Sequence, residues 1–127
     1  MKLGYTILYV NNVLKTLNFY QKVFGFEIKF LHESGDYGEL NTGNTTLSFS
    51  SIDLMEQLGK NPGKPHPDSP CFEIAFITEN VEETLQAALT AGAELIQAPE
   101  KMEWGQTVAY ISDPNGFLIE ICTEVAN

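Results

Sequence analysis

Hydrophobic and polar positions follow the same order twice along this chain. Residues 4–10 (GYTILYV) read as a strand, after which Asn12 offers an N-cap to a helix with apolar residues at 13, 17, 20 and 24. Gly25 stops that helix. Strands are then predicted at 26–31 (FEIKFL), 36–41 (DYGELN) and 44–50 (NTTLSFS), separated by Ser-Gly-Asp and Thr-Gly-Asn turns. A short helical piece at 53–58 (DLMEQL) leads into residues 59–70 (GKNPGKPHPDSP), where four prolines and two glycines forbid regular structure. The second round opens with a strand at 71–77 (CFEIAFI). Asn80, with Glu83 three residues on, caps a helix carrying Val81, Leu85, Ala88 and Leu89, and Gly92 ends it. Strands follow at 94–97 (ELIQ), 106–112 (QTVAYIS) and 117–123 (FLIEICT). The last two are joined by Asp113-Pro114-Asn115-Gly116, a turn with Pro at its second position and Gly at its fourth.

One offset superposes Tyr5 on Glu73, Asn12 on Asn80, Val13 on Val81, Thr16 on Thr84 and Leu17 on Leu85; a small gap then brings Ser48 opposite Glu120. Such an internal repeat predicts an α+β fold of two βαβββ modules. The 127 residues fit one domain, with module one at 1–58, a linker at 59–70 and module two at 71–127. Side chains two apart on a strand share a face. Phe72, Ile74, Phe76, Phe117, Ile119 and Ile121 are therefore expected under a helix. Tyr5, Ile7 and Tyr9, Thr46, Ser48 and Ser50, and Glu73 and Glu120 are expected on the helix-free side. A sheet covered by helices on one face must expose the other or curl it around something, and this mixture of Tyr, Ile, Ser and Glu suits a ligand cavity. Carboxylates facing an interior are costly unless paired, solvated or coordinating, which singles out Glu73 and Glu120.

Composition narrows the function classes. A hydrophobic content of 43% argues against disorder, and no stretch approaches the roughly 20 apolar residues of a membrane span. A formal net charge of −10 opposes nucleic acid and anionic membranes, so a small molecule in the cytoplasm is the expected partner. Cys71 and Cys122, the two cysteines, are too few for a disulfide scaffold or a thiolate zinc site, and both are expected as buried free thiols. His32 ends a strand and His66 lies in the proline-rich linker; both read as surface or loop histidines. No nucleophile with an adjacent base and no phosphate-cradling glycine loop is present.

The first helix with its glycine (LNFYQKVFGF, 17–26) and the closing stretch WGQTVAYISDPNGFLIEI (104–121) resemble the vicinal oxygen chelate superfamily of glyoxalases, bleomycin-resistance proteins and extradiol dioxygenases. The resemblance implies paired modules in a large curved mixed sheet with helices on one face, in a homodimer. It also implies metal ligands, usually His, Gln or Glu, at the positions held here by Tyr5, Ser48, Glu73 and Glu120. Only Glu120 matches that pattern outright. Glu73 and Glu120 with waters suit a weak Mg²⁺ or Mn²⁺ site, and no tightly bound cofactor is expected. Two functions compete. In the first, the protein binds a small cationic or aromatic molecule through Tyr5, Tyr9, Ser48, Trp104, Glu73 and Glu120. In the second, it is a glyoxalase-like lyase or isomerase in which one of Glu73 and Glu120 is the base and the other the acid, with or without a weakly bound divalent metal.

Overall fold

The computed structural model describes residues 1–125, and the chain divides into two compact units at Gly63 and Lys64. The first contains β1 (Tyr5–Val10), α1 (Val13–Phe24), β2 (Ile28–Leu31), β3 (Tyr37–Leu40), β4 (Thr46–Ser51) and α2 (Ile52–Gln57). Its strands form one four-stranded sheet in the order β1-β4-β3-β2, with β1 parallel to β4 and the other neighbours antiparallel. Asn12 caps α1 as expected, its Oδ1 accepting from the Lys15 N–H at 3.0 Å. Gly25, at φ 78°, closes the helix in the left-handed conformation that glycine adopts without strain. The apolar stripe of α1 buries Val13, Leu17 and Tyr20 against one sheet face, where the Tyr20 ring meets Phe49 at 5.2 Å between centroids.

That packing needs a residue without a side chain. A Cβ on Gly38 of β3 would lie 2.6 Å from Leu17 Cδ1 and 3.1 Å from Val13 Cγ1. Gly38 thus marks the helix side of β3, and its neighbours Tyr37 and Glu39 point to the opposite face. The same alternation runs through β1: Leu8 and Val10 are 2% and 1% exposed, whereas Tyr5, Ile7 and Tyr9 are 57%, 45% and 36% exposed.

The second unit contains β5 (Ile74–Ile77), α3 (Val81–Thr90), β6 (Glu94–Lys101), β7 (Thr107–Ser112) and β8 (Leu118–Cys122). Its sheet repeats the first, in the order β5-β8-β7-β6 with β5 parallel to β8. Asn80 caps α3, accepting from the Glu83 N–H at 3.0 Å and donating through Nδ2 to Glu83 Oε2 at 3.2 Å. Val81, Leu85 and Ala88 of α3 are buried, as are Ile111, Ile119 and Ile121 of the sheet. Each unit is thus the expected βαβββ motif, and the α+β fold is that of the sequence reading.

Local boundaries depart furthest from expectation in two places. The strand expected over 71–77 begins at Ile74, because pairing with β8 starts at Ile74 and Ile119. Cys71, outside the paired segment, is therefore an exposed thiol rather than a buried one, while Cys122 is buried as expected. The strand expected to stop at Gln97 runs on through Pro99 to Lys101. It lies at the sheet edge with register irregularities on either side of Gln97, and an edge strand tolerates the missing proline N–H there.

Candidate functional site

In the second unit, the turn at Asp113–Gly116 sets the chemistry of the strands it joins. The Asp113 carboxylate accepts from the Asn115 and Phe117 N–H groups, each at 2.9 Å, and the Gly116 N–H returns to the Asp113 carbonyl at 3.0 Å. This fixed turn registers Ser112 against Leu118 and hence Tyr110 against Glu120. With Ile119 and Ile121 committed to the helix side, Glu120 and Tyr110 share the other face. The Tyr110 hydroxyl donates to Glu120 Oε1 at 2.8 Å.

Glu73, just before β5, completes this group. Glu73 is exposed, yet its carboxyl is held above the usual carboxylate range, first by partial desolvation, then by the charge and nearness of Glu120, while the nearby Tyr110 works the other way. Tyr110 is itself pushed well up by burial and by its bond to Glu120. Burial, followed by Glu120, raises the Cys122 thiol to about 11, and its Sγ lies 3.7 Å from the Phe76 carbonyl. Cys122 thus remains a thiol at neutral pH and is no nucleophile. Two carboxyl groups and a phenol converge, with the proton affinity of Glu73 raised. Such an arrangement can donate a proton from one group and accept one at another.

The first unit holds a related group at the equivalent positions. Ser48 lies between Ile7 on β1 and Glu39 on β3 in the sheet register. Its Oγ is fully buried and makes no short hydrogen bond, and the side chain it acts on is Tyr37. Tyr37 donates to Glu39 Oε2 at 2.8 Å, and its hydroxyl is raised above its ordinary value, first by burial, with Ser48 pulling it down and Glu39 and Tyr5 adding to the rise. Tyr5 and Ser48 thus fall on the helix-free face of one unit, and Glu73 and Glu120 come together in the other.

Trp104 sits in the β6–β7 turn, exposed, its Nε1 donating to Gln106 Oε1 at 2.7 Å. His32 is held by the β2–β3 turn, where Nδ1 accepts from the Ser34 N–H at 3.0 Å, and His66 is exposed in the linker. Among the described residues no group of three or more His, Cys, Asp and Glu side chains is arranged to hold a metal. A cleft of about 480 Å³ lined by Ile77, Thr78, Glu79, Thr123 and Glu124 includes none of the expected site residues.

The sequence reading missed Tyr110, Tyr37 and Glu39. A signal for Tyr110 was present: counting outward from the Asp113–Gly116 turn pairs it with Glu120. Glu39 then follows from the repeat, since it faces Ser48 as Tyr110 faces Glu120.

Two βαβββ units, each with its helices against one sheet face and a polar group on the other, define a glyoxalase/bleomycin resistance/dioxygenase type of fold. Comparison with known proteins agrees. The model of the glyoxalase-like domain matches residues 3–126, and the chain belongs to that family. A lactoylglutathione lyase of Neisseria meningitidis serogroup B is 30% identical over 128 aligned positions, covering 94% of this chain and 88% of the relative. An uncharacterized protein of Bacillus subtilis, YraH, is 28% identical over 124 residues, covering 95% and 97%. A glyoxalase-related enzyme from Fulvimarina pelagi superposes with a TM-score of 0.83 at 18% identity, covering 98% of this chain and 88% of that one. A glyoxalase/bleomycin resistance/dioxygenase family enzyme from Burkholderia phytofirmans gives 0.79 at 25% identity, covering 99% and 100%. No helix among the described residues is long and apolar enough to cross a membrane.

Proposed function

We propose that this protein is a glyoxalase-like lyase or isomerase that moves a proton beside the carbonyl of a small molecule, with Glu73, Tyr110 and Glu120 as its centre. The contact between Glu73 and Glu120 carries this reading. Glu120, oriented by the hydroxyl that Tyr110 donates to its Oε1, is placed to be the base. Glu73 has its proton affinity raised by desolvation and then by Glu120, and serves as the acid. Relatives named lactoylglutathione lyase, at 26% and 30% identity, support this class of reaction. The same reading makes the protein a cytoplasmic homodimer with neither nucleic acid nor membrane as partner, in keeping with its net charge of −10.

A tight metal centre does not fit this donor set. Divalent Ni, Zn or Fe wants imidazole, and the family ligand positions offer a tyrosine, a serine and two carboxylates. One oxygen of Glu120 already accepts from Tyr110. Weakly held Mg²⁺ or Mn²⁺ between Glu73 and Glu120 is the most these residues would support.

The test is hydrogen–deuterium exchange at the carbon beside the carbonyl of lactoylglutathione, followed by mass spectrometry, alongside titration with Mn²⁺, Ni²⁺ and Zn²⁺. Exchange by the wild type that is lost in Glu120→Gln with the fold intact is the expected result. Binding without exchange would instead favour sequestration of an aromatic or cationic molecule. That second reading draws on the exposed rings of Tyr5 and Tyr9. Stoichiometric tight metal abolished by Glu120→Gln would overturn the metal-free reading.

A further inference from the structure

We propose that the substrate of the second unit's centre is a carbonyl compound bearing no carboxylate or phosphate, so that an anionic conjugate such as lactoylglutathione is turned over poorly. The inference rests on the proton-transfer reading above and names its substrate class. The charge of the chain is unevenly divided. Residues 1–63 carry six acidic side chains and five lysines, whereas residues 64–127 carry eleven acidic side chains and two lysines. None of the 127 residues is arginine. Nearly the whole net charge of −10 therefore belongs to the unit that holds Glu73, Tyr110 and Glu120.

Strand register places part of that charge beside the centre. On the edge strand β6, Gln97 pairs with Tyr110 and Glu100 with Val108. Paired residues share a face, so Glu100 stands on the helix-free face with Tyr110 and Glu120. Gln97 Nε2 donates to Glu100 Oε2 at 3.3 Å and ties the carboxylate to that row. Neither lysine of the unit supplies a counter-charge there. Lys101 pairs with Thr107, one residue out of step with Val108 and Tyr110, and so falls on the opposite face. Lys64 is exposed in the linker beside Pro65, whose carbonyl oxygen would lie 3.0 Å from a Cβ on Gly116, in the turn ahead of β8.

A carboxylate or phosphate brought to this face meets like charge on Glu100 and Glu120 and loses water without gaining a cation. A substrate whose remaining groups are neutral or cationic escapes both costs. Lactoylglutathione, the compound in the names of several relatives, carries two carboxylates and one ammonium at neutral pH.

The experiment offers the full chain three forms of one scaffold: lactoylglutathione, its dimethyl ester and the N-acetylated dimethyl ester, which are anionic, cationic and neutral. Deuterium exchange at the carbon beside the thioester carbonyl is followed by mass spectrometry at neutral pH, at low and high salt, for the wild type and Glu100→Lys. The expected result is a kcat/KM for both esters above that for the free acid by about fivefold or more at low salt, the effect of one close like-charge pair in water. The gap should narrow at high salt and in Glu100→Lys. Equal exchange of all three, or fastest exchange of the free acid, would overturn the substrate class and leave proton transfer standing. A ratio that neither salt nor Glu100→Lys changes would overturn it too. Exchange of none of the three would remove the proton-transfer reading itself, and the substrate class with it.

Discussion

Tyr110 and Glu120 face one another across β7 and β8, and the Tyr110 hydroxyl donates to Glu120 Oε1 at 2.8 Å. A donor held against a carboxylate fixes its orientation. Tyr110→Phe removes that donor while keeping the ring. It should cost about 1.5 kcal/mol, the lower end for a hydrogen bond to a carboxylate, because the pair is only part-buried. Thermal unfolding would show a drop of a few degrees, and exchange activity should fall with it.

Glu73 makes stability depend on pH in a particular direction. Its pKa is raised in the folded chain, so the folded state holds the proton more tightly than the unfolded state does. Stability is therefore lost as pH rises from the unfolded value through the folded one, and the loss is complete above the folded value. Glu73→Gln lacks that loss. The variant should match the wild type at about pH 3.5 and exceed it at neutral pH by less than about 1 kcal/mol, since an exposed side chain is screened by solvent. Chemical denaturation at the two pH values measures the difference, and a wild type that gains on the variant with rising pH would contradict it.

Ser48→Ala should stabilise the free protein. The hydroxyl is buried and makes no short hydrogen bond, so removing it relieves a desolvation cost of about 1 kcal/mol. A raised melting temperature is the expected outcome, and a lowered one would mean that the hydroxyl's contact with Tyr37 outweighs its desolvation.

Gly38→Ala should destabilise the first unit. The new methyl would sit 2.6 Å from Leu17 Cδ1, with Val13 Cγ1 at 3.1 Å and the Phe30 carbonyl oxygen at 3.3 Å. Pushing α1 off the sheet should cost about 1–3 kcal/mol, the range for overpacking a core. Denaturant unfolding would show the midpoint shift.

Asp113→Ala removes the acceptor of two backbone N–H groups in a buried turn. A loss of about 2–3 kcal/mol is expected, with Asp113→Asn recovering part of it because an amide oxygen can still accept. If the turn also sets the Tyr110–Glu120 register, any exchange activity should fall further than stability does.

The repeated alternation of apolar and polar positions was enough to read two βαβββ modules, because each element's period is a local property of the chain. The helix caps were equally legible: Asn12 and Asn80 act on N–H groups three residues away, and Gly25 on its own backbone dihedral. Strand faces followed from alternation, which placed Tyr5, Ser48 and Glu120 opposite the helices. Cys71 was misread because strand-like composition does not guarantee a pairing partner, and β6 because an edge position excuses Pro99. Tertiary structure alone decided which side chains meet. The contact between Glu73 and Glu120, the hydroxyl that Tyr110 lends to Glu120, and the buried Ser48 facing Glu39 all depend on strands brought side by side from distant parts of the chain. Proton affinities and buried hydroxyls arise from those juxtapositions, so local pattern determined the scaffold while the packing of strand against strand determined the chemistry.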